Sequence, residues 1–233
     1  MKSVLRILFL FALILGMEGC KNPAKPPQKP AVSEQTDTSV VSDDKGIQDD
    51  YTNTNRVVWQ KPEVVIDLLG DLSEKVVADI GAGTGFFALR LTPLARKVIA
   101  IDIEPKFVSY LDSIRKTELP PLYSDRLETR LAMPEDARLK PGEADVILIV
   151  NTYMYITDRV QYLKNLKKGL SPLGKVLIVD FKKKRTSLGP PKDIRIPQFQ
   201  AEDELEQAGF RIVESNDTAL DYQYLILAEK LGN

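Results

Sequence analysis

Between residues 56 and 230 the apolar positions fall into short runs that alternate with segments of helical period. Val76-Val77-Ala78-Asp79-Ile80 is nearly all apolar, as a strand buried on both faces is. It passes into Gly81-Ala82-Gly83-Thr84-Gly85 and then into Phe86-Phe87-Ala88-Leu89-Arg90-Leu91, a helix-like stretch that Pro93 ends. Lys97–Asp102, Leu127–Leu131 and Ala144–Val150 read as further strands, and residues 174–181 as a fifth. A helix over 105–116 carries Phe107, Val108, Leu111 and Ile114 on one face. Another, capped by Asp158 and ended by Gly169, turns Val160, Leu163 and Leu166 inward. Residues 63–69 form a short helix, with Pro62 at its first position and Gly70 past its end. A helix over 201–208 is closed by Gly209, and strands over 210–215 and 222–229 form a terminal hairpin. This alternation predicts an α/β fold. Its sheet is doubly wound, seven-stranded and mostly parallel, with an antiparallel C-terminal hairpin and helices on both faces.

The first fifty residues break the pattern. Met1-Lys2-Ser3-Val4-Leu5-Arg6 is a basic start, and residues 7–17 are an apolar run too short to span a bilayer as a helix. Gly19-Cys20 follows, so residues 1–19 read as a secretory signal. The Cys directly after Gly resembles a bacterial lipoprotein signal, in which Cys20 is lipidated and becomes the new N-terminus, although Met17 and Glu18 depart from its usual residues. Residues 20–50 carry Pro23, Pro26, Pro27 and Pro30 among Ser, Thr, Asp and Gln. They cannot bury enough apolar surface to offset the entropy of ordering, and form a linker to a folded domain over 51–233. The implied location is the cell envelope, with the membrane as a partner through the lipid anchor.

The glycine turn carries the chemistry. Glycines let backbone approach a ligand, and the helix start beyond them offers unpaired N–H groups. In a doubly wound sheet such a turn lies in the crevice at the strand C-termini, where Asp79 and Asp102 also end their strands. A dinucleotide site needs a third glycine three positions after the second, yet Phe86 stands there; a phosphate loop needs Gly-Lys-Ser/Thr, also absent. An NAD-dependent oxidoreductase is therefore disfavoured. A turn without a cation and beside an acid suits a ligand with ammonium and sulfonium charges. An acid after the second strand suits ribose hydroxyls.

Asp79-Ile80-Gly81-Ala82-Gly83-Thr84-Gly85 with Asp102 resembles a class I S-adenosylmethionine-dependent methyltransferase. Trp59-Gln60-Lys61-Pro62, Pro134-Glu135-Asp136-Ala137-Arg138-Leu139, Val150-Asn151-Thr152-Tyr153 and Gly189-Pro190-Pro191 resemble a bacterial subgroup of such enzymes that act on small molecules. The resemblance implies a Rossmann-like methyltransferase fold with S-adenosylmethionine as cofactor. It implies that Gly81, Ala82, Gly83 and Gly85 meet the methionyl part, with Asp79 near its ammonium. Asp102 then holds the ribose, Ile103 packs on adenine, and Asp136 accepts from the adenine amino group beside Ala137. Asn151 borders donor and acceptor. Related sequences often carry His-Glu after the tyrosine, where this chain has Met154-Tyr155.

Composition narrows the mechanism. The chain has no His and one Cys, so the commonest general base, intrachain disulfides and Cys-based zinc sites are all excluded, and no metal is expected. Tyr153 and Tyr155 remain as candidate catalytic residues if a base is needed. The formal charge of −1 gives no case for a nucleic-acid partner, and the acceptor is expected to be an unidentified small molecule. In-line displacement on an activated methyl asks mainly for proximity and orientation. The alternative is a catalytically silent S-adenosylmethionine-binding or scaffold protein at the envelope. Trp59 reads as a core plug, Asp180 as structural, and Lys182-Lys183-Lys184-Arg185 as a solvated loop.

Overall fold

The computed structural model describes residues 55–232; the expected signal segment, Cys20 and the expected linker lie outside the described residues. Two short helices come first, α1 (Arg56–Gln60) and α2 (Pro62–Asp67), the second with Pro62 at its start. Then follow β1 (Val76–Ile80), α3 (Ala88–Leu91), β2 (Lys97–Asp102), α4 (Pro105–Thr117), α5 (Pro121–Ser124), β3 (Leu127–Leu131) and β4 (Ala144–Val150). A 3-10 turn (Tyr153–Tyr155) leads to α6 (Arg159–Gly169) and β5 (Leu170–Phe181). A second 3-10 turn (Lys192–Ile194), α7 (Gln198–Gln207), β6 (Phe210–Asn216) and β7 (Gln223–Lys230) complete the chain. Among the described residues no helix is long and apolar enough to cross a membrane.

The seven strands form one sheet in the order β3-β2-β1-β4-β5-β7-β6. β1 pairs in parallel with β2 and β4, β2 with β3, and β4 with β5. β7 runs antiparallel to β5 and β6, which is the hairpin that the sequence predicts at one edge. Strand alternation sorts the apolar side chains onto two faces. Ala78, Ile99, Ile147, Ile178 and Ile226 meet Leu163 and Leu166 of α6 and Leu205 of α7. Val77, Val98, Leu148, Leu177 and Leu225 meet Val65 of α2, Ala88 and Leu91 of α3, and Leu111 of α4. Both clusters are drawn from fully or nearly fully buried residues, so hydrophobic burial on two faces fixes the register of the central strands.

The differences from the sequence pattern are local. The helix after the glycine turn shrinks to Ala88–Leu91, because Phe86 and Phe87 are spent on the turn. In α6 Tyr162, not Val160, joins Leu163 and Leu166 inward; Asp158 does cap it, accepting from Gln161 N. The last long helix starts at Gln198, directly after Pro197, and β5 begins at Leu170. Trp59 is half-buried, its ring 5.5 Å from Phe181 and 6.4 Å from Tyr222. Lys182 is not wholly solvated, since its ammonium donates to the Leu220 carbonyl. Arg195 is buried and donates to the carbonyls of Lys182, Lys184, Leu188 and Pro190 and to the Thr186 hydroxyl, ordering the loop that carries Gly189-Pro190-Pro191.

Candidate active site

Strand order reverses beside β1: the chain runs outward from β1 through β2 to β3, then returns to β4 on the other side. The crevice at such a switch point is where α/β sheets bind ligands. Here a cleft of about 330 Å³ opens between the turn after β1, the end of β2 and the turn after β4. The turn after β1 is anchored from below, Gly81 N and Ala82 N both donating to the Ile101 carbonyl at 2.8 and 3.0 Å. Gly81 (φ +73) and Gly83 (φ +54) both adopt left-handed backbone. A Cβ on Gly81 would lie 2.2 Å from Thr152 Oγ1, so the turns after β1 and β4 touch only because that atom is absent. A Cβ on Gly83 would meet nothing within 4 Å and would project into open space.

Asp102 braces this turn. Its Oδ2 accepts from Gly83 N at 2.8 Å and its Oδ1 from Glu104 N at 2.9 Å, which leaves one lone pair on each oxygen for a ligand in the cleft. Ile103, half exposed, stands beside it with Phe107, Pro134 and Tyr162 on an apolar wall. At the other end Asn151 takes left-handed backbone (φ +57), which Asn tolerates better than most residues. Its N–H donates to the Val179 carbonyl at 2.9 Å. Thr152, whose hydroxyl donates to the Val150 carbonyl, and exposed Tyr155 complete this end.

The predicted residues divide into two sets. Gly81, Ala82, Gly83, Asp102, Ile103, Asn151 and Tyr155 line the cleft together. Asp79, Gly85, Asp136, Ala137 and Tyr153 do not. Asp79 shares the face of Val77 and is nearly fully buried; its carboxylate accepts from Ala88 N at the start of α3. Burial raises its pKa to about 7, against the Arg56 charge and that hydrogen bond. Gly85 lies one residue past the lining, where a Cβ would strike Leu111. Asp136 is exposed and folds back on its own loop, its Oδ1 accepting from Arg138 N at 2.8 Å, while Ala137 faces the core.

Tyr153 is excluded as a base. It is fully buried, and its hydroxyl donates to Glu204 Oε2 at 2.5 Å. Burial, then that hydrogen bond, pushes its phenol far above the ordinary tyrosine value. Glu204 is also gripped by Arg159 at 2.7 and 2.8 Å and by Gln200 at 2.9 Å. Burial opposes its ionisation, but those donors outweigh it and hold its pKa below the ordinary value. The backbone N–H of Met154 in the same turn donates to Asp180 Oδ2 at 3.1 Å. Tyr153 thus positions the turn that carries Tyr155 into the cleft.

Sequence reasoning missed Arg56 and Thr152, which line the cleft, and Gln60 and Gln223, which are fully buried behind it. The Arg56 guanidinium lies 4.1 Å from the Phe86 ring centre, with Arg90 on the same ring at 4.0 Å. Arg56 Nε donates to Gln60 Oε1 at 2.5 Å, Gln60 Nε2 to Gln223 Oε1 at 3.3 Å, and Gln223 Nε2 to Asn151 Oδ1. The i, i+4 spacing of Arg56 and Gln60 was a usable signal on a helix; nothing in the sequence connects them to Gln223. Among the described residues no group of three or more His, Cys, Asp or Glu is placed to hold a metal.

Residues 78–178 match the family described as "Methyltransferase domain". A tRNA U34 carboxymethyltransferase of Campylobacter jejuni subsp. doylei is 26% identical over 133 residues, 57% of this chain and 44% of that relative. The match therefore spans less than half of the relative's length. A SAM-dependent methyltransferase from Aquifex aeolicus superposes with a TM-score of 0.72 at 24% identity, over 80% of this chain and 98% of its own. An S-adenosylmethionine-dependent methyltransferase from Mesorhizobium loti gives 0.61 at 14% identity, over 72% and 96%. At these identities the superpositions establish the fold. The open space above Gly83 and the spare lone pairs of Asp102 fit a ribose-bearing ligand that comes close to backbone. Residues 78–178 thus carry the match to a methyltransferase domain, and the chain has the fold of the S-adenosylmethionine-dependent methyltransferases it superposes on.

Proposed function

We propose that S-adenosylmethionine binds along the cleft from Asp102 to Asn151, and that a small-molecule acceptor enters beside Thr152 and Tyr155. One observation carries this reading: the glycine turn, Asp102 and Asn151 line a single cleft although they follow three different strands. In it Asp102 accepts from the ribose hydroxyls, Ile103 covers the adenine, and the Gly81, Ala82 and Gly83 backbone meets the methionyl part. Arg56 supplies a cation for the cofactor carboxylate, a group that the neighbouring Asp79 would otherwise repel. When bound, the cofactor supplies a methyl group already activated on sulfonium sulfur, open to in-line displacement. The protein's share is orientation and exclusion of water.

The cleft volume of about 330 Å³ lies in the range of small-ligand sites. The balanced charge of −1 supplies no broad cationic field of the kind that draws polyphosphate chains. Both support a small acceptor, and the lipoprotein-like Gly19-Cys20 supports an envelope location. The test offers the full-length protein methyl-labelled cofactor with the low-mass fraction of a bacterial extract or with bulk tRNA. Label in a low-mass product is expected. Label in tRNA alone, as the acceptor class of the Campylobacter relative, would overturn the small-molecule assignment.

A further inference from the structure

Arg56, Gln60, Gln223 and Asn151 stand in file from the N-terminal helix to the acceptor end of the cleft. The direction of this file is not free. A guanidinium has donors only, so Gln60 turns its oxygen toward Arg56. Its NH₂ then faces Gln223, which answers with its own oxygen, and the same holds one step further at Asn151. Amide orientation is assigned from partners, and here one donor-only group assigns three amides in succession. Because Gln60 and Gln223 are fully buried, no water stands in for a missing partner along the file. The Asn151 carbonyl is consumed inside the protein, and what this residue has left for the cleft is its NH₂ group.

We infer that Asn151 is a fixed hydrogen-bond donor at the acceptor end, and that the methyl acceptor is an oxyanion already ionised at neutral pH, a carboxylate, seated against it. The inference rests on the methyltransferase reading above. The neighbouring groups agree with it. A carboxamide takes up no proton, and the Thr152 hydroxyl is spent on the Val150 carbonyl. Asp102 stands at the other end with both oxygens already accepting backbone N–H. Burial, and then the Asp136 charge, keep the Tyr162 phenol protonated. The cleft's carboxylates, Asp102 and Glu104, follow β2 rather than β4 and the chain has no imidazole, so an acceptor that must shed a proton meets only the Tyr155 phenol at this end, whereas an oxyanion needs no base. Its oxygen gives a lone pair to the methyl carbon while the carbon–sulfur pair stays on sulfur. A neutral methyl ester and a thioether result, with no proton left over.

The test is amide NMR on the uniformly ¹⁵N-labelled full-length chain with S-adenosylhomocysteine present. Sodium benzoate and benzylamine are titrated separately. The Asn151 NH₂ pair is identified by its loss in Asn151→Asp. Benzoate is expected to move that pair, and benzylamine is not. Gln223→Glu offers oxygens only, so it claims the Asn151 NH₂ and turns the carbonyl to the cleft. Benzoate should then bind roughly tenfold more weakly, and benzylamine should gain. If Gln223→Glu does not fold, Asn151→Asp must show the same loss of benzoate. A shift by benzylamine alone in the wild type, or no shift by benzoate while the glycine-turn amides report bound S-adenosylhomocysteine, overturns the inference. Silence of the glycine-turn amides toward S-adenosylhomocysteine overturns the methyltransferase reading as well.

Discussion

Gly81 and Gly83 share a left-handed backbone but serve different ends. An alanine at either is strained by roughly 1–2 kcal/mol. At Gly81 the new methyl also collides with Thr152, so Gly81→Ala should lower the melting temperature sharply. At Gly83 the methyl meets only open space, so Gly83→Ala should lower the melting temperature by the backbone strain alone, less than Gly81→Ala does, yet bind S-adenosylhomocysteine about tenfold more weakly. Equal melting and equal binding for the two variants would refute that division. Asp180 gives a pH prediction. Burial raises its pKa to about 7, against N–H donors from Phe181 and Met154. A raised folded-state pKa means that its stabilising contribution is full below the unfolded value near 4 and is lost as pH rises toward 7. The melting temperature of Asp180→Asn relative to wild type should therefore climb between pH 5 and pH 8. A flat difference would show that Asp180 does not titrate there. At this scale the glycines and Asp102 were legible because their spacing is local. Asp79 was legible as an acid but not in its direction, since strand alternation turns it under the start of α3. Gln60 and Gln223 were invisible, being ordinary amides 163 positions apart.

Among the elements, the 3-10 turn Tyr153–Tyr155 is held by side chains from α6 and α7. Glu204 is the common acceptor for Tyr153, Arg159 and Gln200, and Arg159 and Glu204 are each less than one-fifth exposed. Removing the carboxylate leaves a largely buried guanidinium without its ion-pair partner. Glu204→Gln should cost about 3 kcal/mol in urea unfolding. Tyr153→Phe removes one hydrogen bond and should cost about 1–2 kcal/mol. If Tyr153→Phe abolished methyl transfer while leaving stability and cofactor binding intact, its assignment as a positioning residue would fall. Strands β1, β2 and β4 were legible to the residue, because near-continuous apolar runs have one outcome in a two-faced sheet. The 3-10 turn was not. Three residues carry no period, and its stability comes from Glu204, some fifty positions away.

For the whole molecule, the strand order brings together turns that are seventy residues apart in the chain. Parallel pairing of β1 with both β2 and β4 sets the glycine turn, Asp102 and Asn151 around one opening. That arrangement was legible as a fold class from the alternation of strands and helices. The acceptor end was not, because its polarity is decided by contacts with β7 and α1 rather than by a motif. The central claim is that this opening is a seat for S-adenosylmethionine, and calorimetric titration of the full-length chain tests it most directly. The account predicts saturable one-site binding by the wild type, weakened about tenfold or more in Asp102→Ala. Absence of heat from binding in the wild type, or equal affinity in Asp102→Ala, would contradict it.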